Sequence, residues 1–177
     1  MKSYSQALKI LKKNKIKIND ENINSSVSLN RVSSVDIYTN SDYPSANNAS
    51  FDGFAIQSKD TNKLHNKTYL KFKIVGSIAA GQKPIKKKIK KYETVEIMTG
   101  ALIPKPFDTI IPIEQINFYP SKKKARYILL NKKVSKFEHV RFKGSDYKKG
   151  DLLISKGTIL KSNHILALKT LGIKKVK

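Results

Sequence analysis

Cysteine is absent from all 177 residues. Its absence excludes disulfides, thiolate zinc sites and thiol nucleophiles within this chain. Long apolar runs are missing too. Ile110–Ile113, interrupted by Pro112, is among the longest, far short of the roughly 20 residues that a membrane-spanning helix needs. The start, Met1-Lys2-Ser3-Tyr4, lacks the apolar core of a signal peptide. Acids are scarce, 13 Asp and Glu against 36 Lys and Arg, which leaves a formal net charge of +23 and a pI near 10.1. Arginine is scarcer still: only Arg31, Arg126 and Arg141 occur, and the other basic residues are lysines. Specific readers of nucleic acid favour the bidentate arginine fork, and abundant Lys, Ile and Asn are what an AT-rich coding sequence produces. Nucleic acid is therefore not an expected partner despite the charge, and neither is a membrane. With 39% hydrophobic residues a core can form. The expectation is a soluble, cytoplasmic chain of one ordinary domain or two small ones.

What is present has a clear order. Tyr4, Ala7, Leu8 and Leu11 fall at i, i+3, i+4, i+7, and Ser3 with Gln6 forms a capping box, so the spacing predicts a helix over Ser3–Asn14. Asn19–Ser28 reads as a polar loop, Leu29, Val32 and Val35 as a helical turn or two, and Asp42–Asn48 as a turn-rich loop. Tyr69–Gly76 alternates, with Leu70, Phe72 and Ile74 on one face and Lys71 and Lys73 on the other, a strand pattern. Val95–Ile97, Thr109–Ile111, Arg126–Leu130 and Val140–Phe142 read as further strands. Asp151–Ile154 and Thr158–Leu160 flank Ser155-Lys156-Gly157 as in a hairpin. Ser162 then opens a last helix through Ile165, Leu168 and Leu171, stopped by Gly172.

The fold class that follows is mainly β with a helix at each end, an α+β mixture in two lobes. Residues 1–43 and 139–177 would form one lobe and residues 44–138 an inserted β-rich second lobe.

Four short motifs carry candidate chemistry. Asn48-Ala49-Ser50-Phe51-Asp52-Gly53-Phe54-Ala55 sets a carboxylate before glycine, ordinarily an Asp-Gly turn. Ile97-Met98-Thr99-Gly100-Ala101 brings a strand into a tight turn where Thr99 and free backbone N–H groups can face an oxyanion; an ordinary hairpin is the plainer reading. Ile111-Pro112-Ile113-Glu114 ends an apolar strand in an acid. In Val140–Asp146, Arg141 can pair with a phosphate or with Asp146. His65, His139 and His164 lack metal-ligand spacing. Lys83–Lys91 reads as a solvated, highly charged loop, with steering of anions as a secondary role.

Taken together, Asp52–Ala55, Ala79-Ala80-Gly81, Met98–Ala101, Glu114, Val140-Arg141 with Gly144 and Asp146, Gly150-Asp151 and Leu171–Ile173 form one colinear series. The series resembles the N-terminal half of the molybdopterin molybdenumtransferases, the MoeA family, which includes the E domain of gephyrin. That family shows an N-S-A-M-D-G-Y-A loop, an I-M-T-G-A strand end and a V-R-x-x-G-E-D-I segment, and the likeness runs from about Ser3 to Val176. Phe51 and Phe54 stand where Met and Tyr are usual, Ala49 and Ser50 are swapped, Glu96 replaces a common basic residue, Ser145 a Glu and Phe137 a Gly.

The resemblance implies an elongated two-lobed architecture, with residues 1–43 and 139–177 as the linker and dimerisation lobe, and without the pterin-binding α/β domain and small C-terminal β domain that follow in the family. It implies transfer of molybdate to adenylylated molybdopterin with Mg²⁺. Asp52, Thr99 and Asp146 would be the catalytic residues, with Asp52 at the metal, Thr99 donating its hydroxyl to an oxyanion and Asp146 in support. Glu114 and Arg141 would bind the cofactor. It further implies a homodimer whose cleft is completed by the opposite subunit, and a preceding enzyme that provides adenylylated molybdopterin. Alone, this stretch is expected to be inactive. Two other functions stay open: a non-catalytic dimerisation or scaffold module, and a basic nucleic-acid binder.

Overall fold

A computed structural model describes residues 2–16, 18–64, 68–83, 85 and 88–177. His65, Pro84, Lys86 and Lys87, and with them parts of the Lys83–Lys91 stretch, lie outside the described residues. The chain is mostly β with two helices. In order come α1 (Tyr4–Lys13), β1 (Ile23–Asn24), β2 (Ile37–Tyr38), β3 (Asn48–Ala49), β4 (Gly53–Ile56), β5 (Leu70–Ile78) and β6 (Glu93–Ile97). There follow β7 (Thr109–Pro112), β8 (Asn117–Tyr119), β9 (Tyr127–Leu130), β10 (Val140–Arg141), β11 (Leu152–Ile154), α2 (Ser162–Thr170) and β12 (Lys175–Val176). No helix among the described residues is long and apolar enough to cross a membrane.

Two compact units form, one from residues 1–40 with 150–177 and the other from residues 41–149. The second unit closes at Lys149 rather than at the expected Glu138. Segment 139–149 is held to it because β10 pairs antiparallel with β3, Tyr43 bridges Tyr147, and the Lys149 N–H donates to Asp42 Oδ1 at 2.9 Å.

In the first unit, α1 starts where the sequence predicts. Ser3 Oγ accepts from the Gln6 N–H at 3.3 Å and Gln6 Oε1 from the Ser3 N–H at 2.9 Å, which satisfies two donors left over at the first turn. None of its residues is buried. The core is Ile37, Ile154, Leu160, Leu168 and Val176, with Ile23, Ile165 and Ile173 packed on it. The Leu168 side of α2 is the buried one, and Gly172 at φ +68° ends the helix. The Gly172 N–H donates to Lys169 and the Ile173 N–H to Leu168, the double closure that a left-handed residue permits.

Several local expectations for this unit are corrected. Asp151–Ile154 and Thr158–Leu160 do not pair as a hairpin, although the Ser155–Thr158 turn forms. β11 instead pairs with β2, and Ile159 bridges Val32. The Leu29–Val35 stretch forms a turn at Leu29-Asn30 and then no helix, since Asn30, Arg31 and Ser33 bond to Thr158 and Leu160 and the Ser34 N–H to Lys177. Part of the polar Asn19–Ser28 stretch becomes β1, because Ile23 reaches Val176 in the core. The cap of α2 is Lys161 rather than Ser162, its N–H bonded to His164 Nδ1 at 3.1 Å.

The second unit is a six-stranded sheet of order β7-β4-β6-β5-β9-β8, in which only β5 and β6 run parallel. All four residues of β4 are buried, so both faces of this interior strand carry core. Phe54, Ile56, Phe72, Ile111, Ile128 and Leu130 pack on one face, and Ala55, Ile78, Val95, Ile97, Phe107 and Ile110 on the other. β5 has the predicted alternation, Phe72 buried between exposed Lys71 and Lys73. Asp52-Gly53 is not a turn. Gly53 opens β4, and a Cβ there would lie 2.0 Å from the Ile111 carbonyl oxygen, so strand spacing itself demands glycine.

Candidate functional site

β4 begins where β6 and β7 end: Gly53 is opposite both Ile97 and Pro112. That antiparallel geometry gathers at one sheet end the residue before β4, Asp52, the turn after β6 with Thr99, and the short turn after β7 with Glu114. The Asp52 side chain crosses to the neighbouring turn. Its Oδ1 accepts the Thr99 N–H at 2.7 Å and the Thr99 hydroxyl at 2.8 Å, while its backbone carbonyl accepts the Ile113 N–H at 3.0 Å. These bonds favour the charged form, the Thr99 backbone bond first and its hydroxyl second, and hold the carboxyl below the usual carboxylate range. Asp52 itself is exposed.

The same contacts correct the expectation of a free oxyanion pocket. The Thr99 N–H and hydroxyl go to Asp52, the Gly100 N–H to the Ala49 carbonyl and the Ala101 N–H to Met98. All three backbone donors of the turn are engaged internally. Gly100 sits at φ +79°, and its would-be Cβ would touch Ala80 at 3.8 Å, so the Ala79–Gly81 motif adjoins this turn.

The loop that delivers Asp52 is held from a second side. The Ser50 N–H donates to the His139 carbonyl at 3.0 Å, and the Phe51 ring meets the His139 ring edge-on at 5.0 Å between centroids. β10 lies against β3 with Arg141 opposite Asn48. Arg141 is ion-paired with Asp146, whose Oδ1 also accepts the Ser145 hydroxyl at 3.1 Å, and its guanidinium stands 5.7 Å from the Tyr43 ring centre. Asp42, close by in the sequence to Tyr43, takes Lys143 at 3.1 Å and the Lys149 N–H at 2.9 Å. The Lys149 bond and then the Lys143 bond lower its pKa.

Thus the predicted residues fall into two contacting pairs, Asp52 with Thr99 and Arg141 with Asp146. Glu114 is exposed on its turn. Among the described residues no hydrogen bond or ion pair joins Asp52 to Glu114, Arg141 or Asp146. Sequence reasoning missed the Phe51–His139 contact and the Asp42 anchor, which join segments far apart in the chain and carry no local spacing signal. Of the departures from the family pattern, Phe54 is 2% exposed and packs on Phe118 in the core, so the missing tyrosine hydroxyl concerns the core and not this surface. Phe137, where glycine is common, has φ +70°, the left-handed conformation that favours glycine.

The described residues contain no group of three or more His, Asp or Glu able to hold a metal. Asp52 Oδ2, with Oδ1 committed to Thr99, is a single exposed carboxylate oxygen. Mg²⁺ commonly takes one or two carboxylates and completes its shell with water and substrate oxygens. The donor present fits as one such ligand and no more.

The family model for the MoeA N-terminal region (domain I and II) matches residues 2–172. A molybdopterin molybdenumtransferase of Staphylococcus epidermidis is 30% identical over 175 residues, 99% of this chain and 40% of that protein. One from Staphylococcus aureus is 33% identical over 150 residues, 85% of this chain and 34% of its own length. The crystal structure of the molybdopterin biosynthesis MoeA protein from Pyrococcus horikoshii superposes with a TM-score of 0.84 at 30% identity, covering 98% of this chain and 44% of that one. The chain spans about two fifths of the length of the first of these relatives. By a family match across almost its whole length, joined to the same fold, this chain belongs to the MoeA N-terminal region family.

Proposed function

We propose that this chain supplies the N-terminal portion of a molybdenum insertase, and that the sheet end bearing Asp52 borders the cleft where molybdate is transferred to adenylylated molybdopterin. The observation that carries the reading is the Asp52–Thr99 clamp. It fixes one carboxylate oxygen and leaves the other exposed at the mouth of three strand ends. A carboxyl held below its usual range stays ionised and is a weak base, so Asp52 serves as an anionic ligand rather than as a proton donor. Next to an anionic substrate such a carboxylate repels unless a cation intervenes. Mg²⁺, when bound, would supply that positive charge, and Asp52 Oδ2 would be one of its ligands. Thr99 acts here as the positioning residue for Asp52. Arg141 offers a guanidinium to an anion if Asp146 gives way, and Glu114 is a secondary carboxylate.

In this reading the working protein is a cytoplasmic homodimer. The pterin platform comes from the opposite subunit, and a separate enzyme provides the adenylylated substrate. A dimerisation or scaffold module is the second reading. It is favoured by one observation, the uncovered apolar stripe of Tyr4, Leu8 and Leu11 on α1. Asp52→Asn in the full gene product separates the two. Molybdenum transfer falls by at least about 100-fold while the mass by light scattering stays unchanged; transfer at the parental rate overturns the role of Asp52.

A further inference from the structure

The charge of this chain is not spread evenly. Residues 61–92 and 115–137 together hold seventeen of the 36 cations and none of the 13 acids. These stretches contain β5, β8 and β9, three adjacent strands at one side of the sheet. A general lysine bias accounts for many cations, but not for the exclusion of every acid from both stretches.

Strand register sorts the side chains. Leu70, Phe72 and Ile74 of β5, Ile128 and Leu130 of β9 and Phe118 of β8 belong to the core face. The alternate residues therefore share the other face: Lys71 and Lys73, Tyr127 and Leu129, Asn117 and Tyr119. Lys73, Tyr127 and Tyr119 form one cross-strand row, and Lys71, Leu129 and Asn117 the next. Tyr119 is 45% exposed, and Tyr69, just ahead of β5 in the same alternation, 56%. The Tyr119 and Tyr127 rings are 6.4 Å apart, and Lys71 Nζ stands 4.2 Å from the Tyr119 ring centre. Exposed Lys122, Lys123, Lys124 and Arg126 lie on the connection between β8 and β9.

We propose that this face binds single-stranded nucleic acid. The exposed Tyr69 and Tyr119 rings, with the half-buried Tyr127 beside them, offer stacking surfaces that any unpaired base can use, and flanking cations follow the phosphates. Duplex bases are already stacked and have no use for the tyrosines, so the pattern selects the single strand. Lysine in place of arginine gives phosphate attraction without base readout, which predicts little sequence preference. Lys71 moves from the ring to a phosphate when a base arrives, since an exposed cation–π contact is a weak one. The proposal does not depend on the insertase reading, because the face is built by β5, β9 and β8 rather than by the strand ends that carry Asp52.

The test is fluorescence anisotropy with the 177-residue chain and labelled dT20, rU20 and a 20-base-pair duplex, at 50 and 200 mM NaCl. Both single strands should bind at 50 mM, at least about tenfold tighter than the duplex. With three or four phosphates contacted, the log–log salt slope should be about −2 to −3. Tyr119→Ala with Tyr127→Ala should weaken binding roughly tenfold per ring, whereas the corresponding pair of phenylalanines should bind like the parent. Lys71→Gln with Lys73→Gln, which leaves the core untouched, should weaken it several-fold, and Lys9→Gln with Lys12→Gln on α1 should not. DNA and RNA arms show which source of single strand is preferred. No binding at 50 mM, equal affinity for duplex and single strand, or an alanine pair that binds like the parent overturns the proposal.

Discussion

Asp52 Oδ1 accepts both hydrogen bonds that Thr99 can donate, at 2.7 and 2.8 Å, across 47 residues of chain. The pair ties the entrance of β4 to the exit of its neighbour β6. It also divides the carboxylate into one oxygen committed to the fold and one available to a ligand.

Removing the hydroxyl half of that clamp should be visible in the acid itself. Thr99→Val keeps the backbone donor and loses the other, so the Asp52 titration midpoint should rise toward the ordinary carboxylate value, while Thr99→Ser should hold it near the parent. Carbon-13 NMR of the carboxyl carbon measures this directly, and an unmoved midpoint in the valine variant would show that the hydroxyl bond does not act on Asp52. In the full gene product the same valine variant should lose roughly 10- to 100-fold in transfer, the usual cost of removing a partner that orients a ligand.

Asp42 sets an acid limit on stability. Its folded pKa is depressed by Lys149 and Lys143, so its contribution is present above the unfolded value and disappears as pH falls through the folded one. Urea midpoints should therefore decline below about pH 4, and Asp42→Asn should flatten that decline. A decline of unchanged steepness in the variant would assign acid sensitivity to other groups.

Two glycines of the sheet should differ sharply. Alanine at Gly53 meets the Ile111 backbone oxygen at 2.0 Å, with nothing flexible to move, whereas at Gly76 it meets only the Ile85 Cδ1 at 2.8 Å. Gly53→Ala should cost about 3 kcal/mol or more, and Gly76→Ala clearly less. Chemical denaturation of the two variants compares them, and equal costs would contradict the backbone clash.

The Arg141–Asp146 pair is the opposite kind of contact. Its side chains are 41% and 37% exposed, so solvent screens the attraction. Asp146→Asn should change stability by less than about 1 kcal/mol. A loss above about 2 kcal/mol in thermal unfolding would mean that the pair supports the fold.

Much of the local structure was legible in the residues. The Ser3–Gln6 box, the Gly172 stop and the β5 alternation all rest on neighbours within a few positions, where spacing alone states which groups meet. The readings that failed concern segments whose partners are distant. Thr158–Leu160 looks like half of a hairpin with Asp151–Ile154, yet its backbone groups are taken by the segment around Val32. Gly53 looks like a turn because Asp-Gly often is one, and only the approach of Ile111 shows why glycine is there.

For the candidate site the division is the same. Sequence by itself determined which residues are the candidates for chemistry, Asp52, Thr99, Glu114, Arg141 and Asp146, and their order along the chain. Tertiary structure decided which of them touch: sheet order puts the start of β4 beside the ends of β6 and β7, so Asp52 meets Thr99, while Glu114 stays exposed on its own turn. It also decided that the backbone donors after Met98 are consumed inside the fold. Hydrogen-bond partners at such separations follow from strand pairing in three dimensions, which no local spacing encodes.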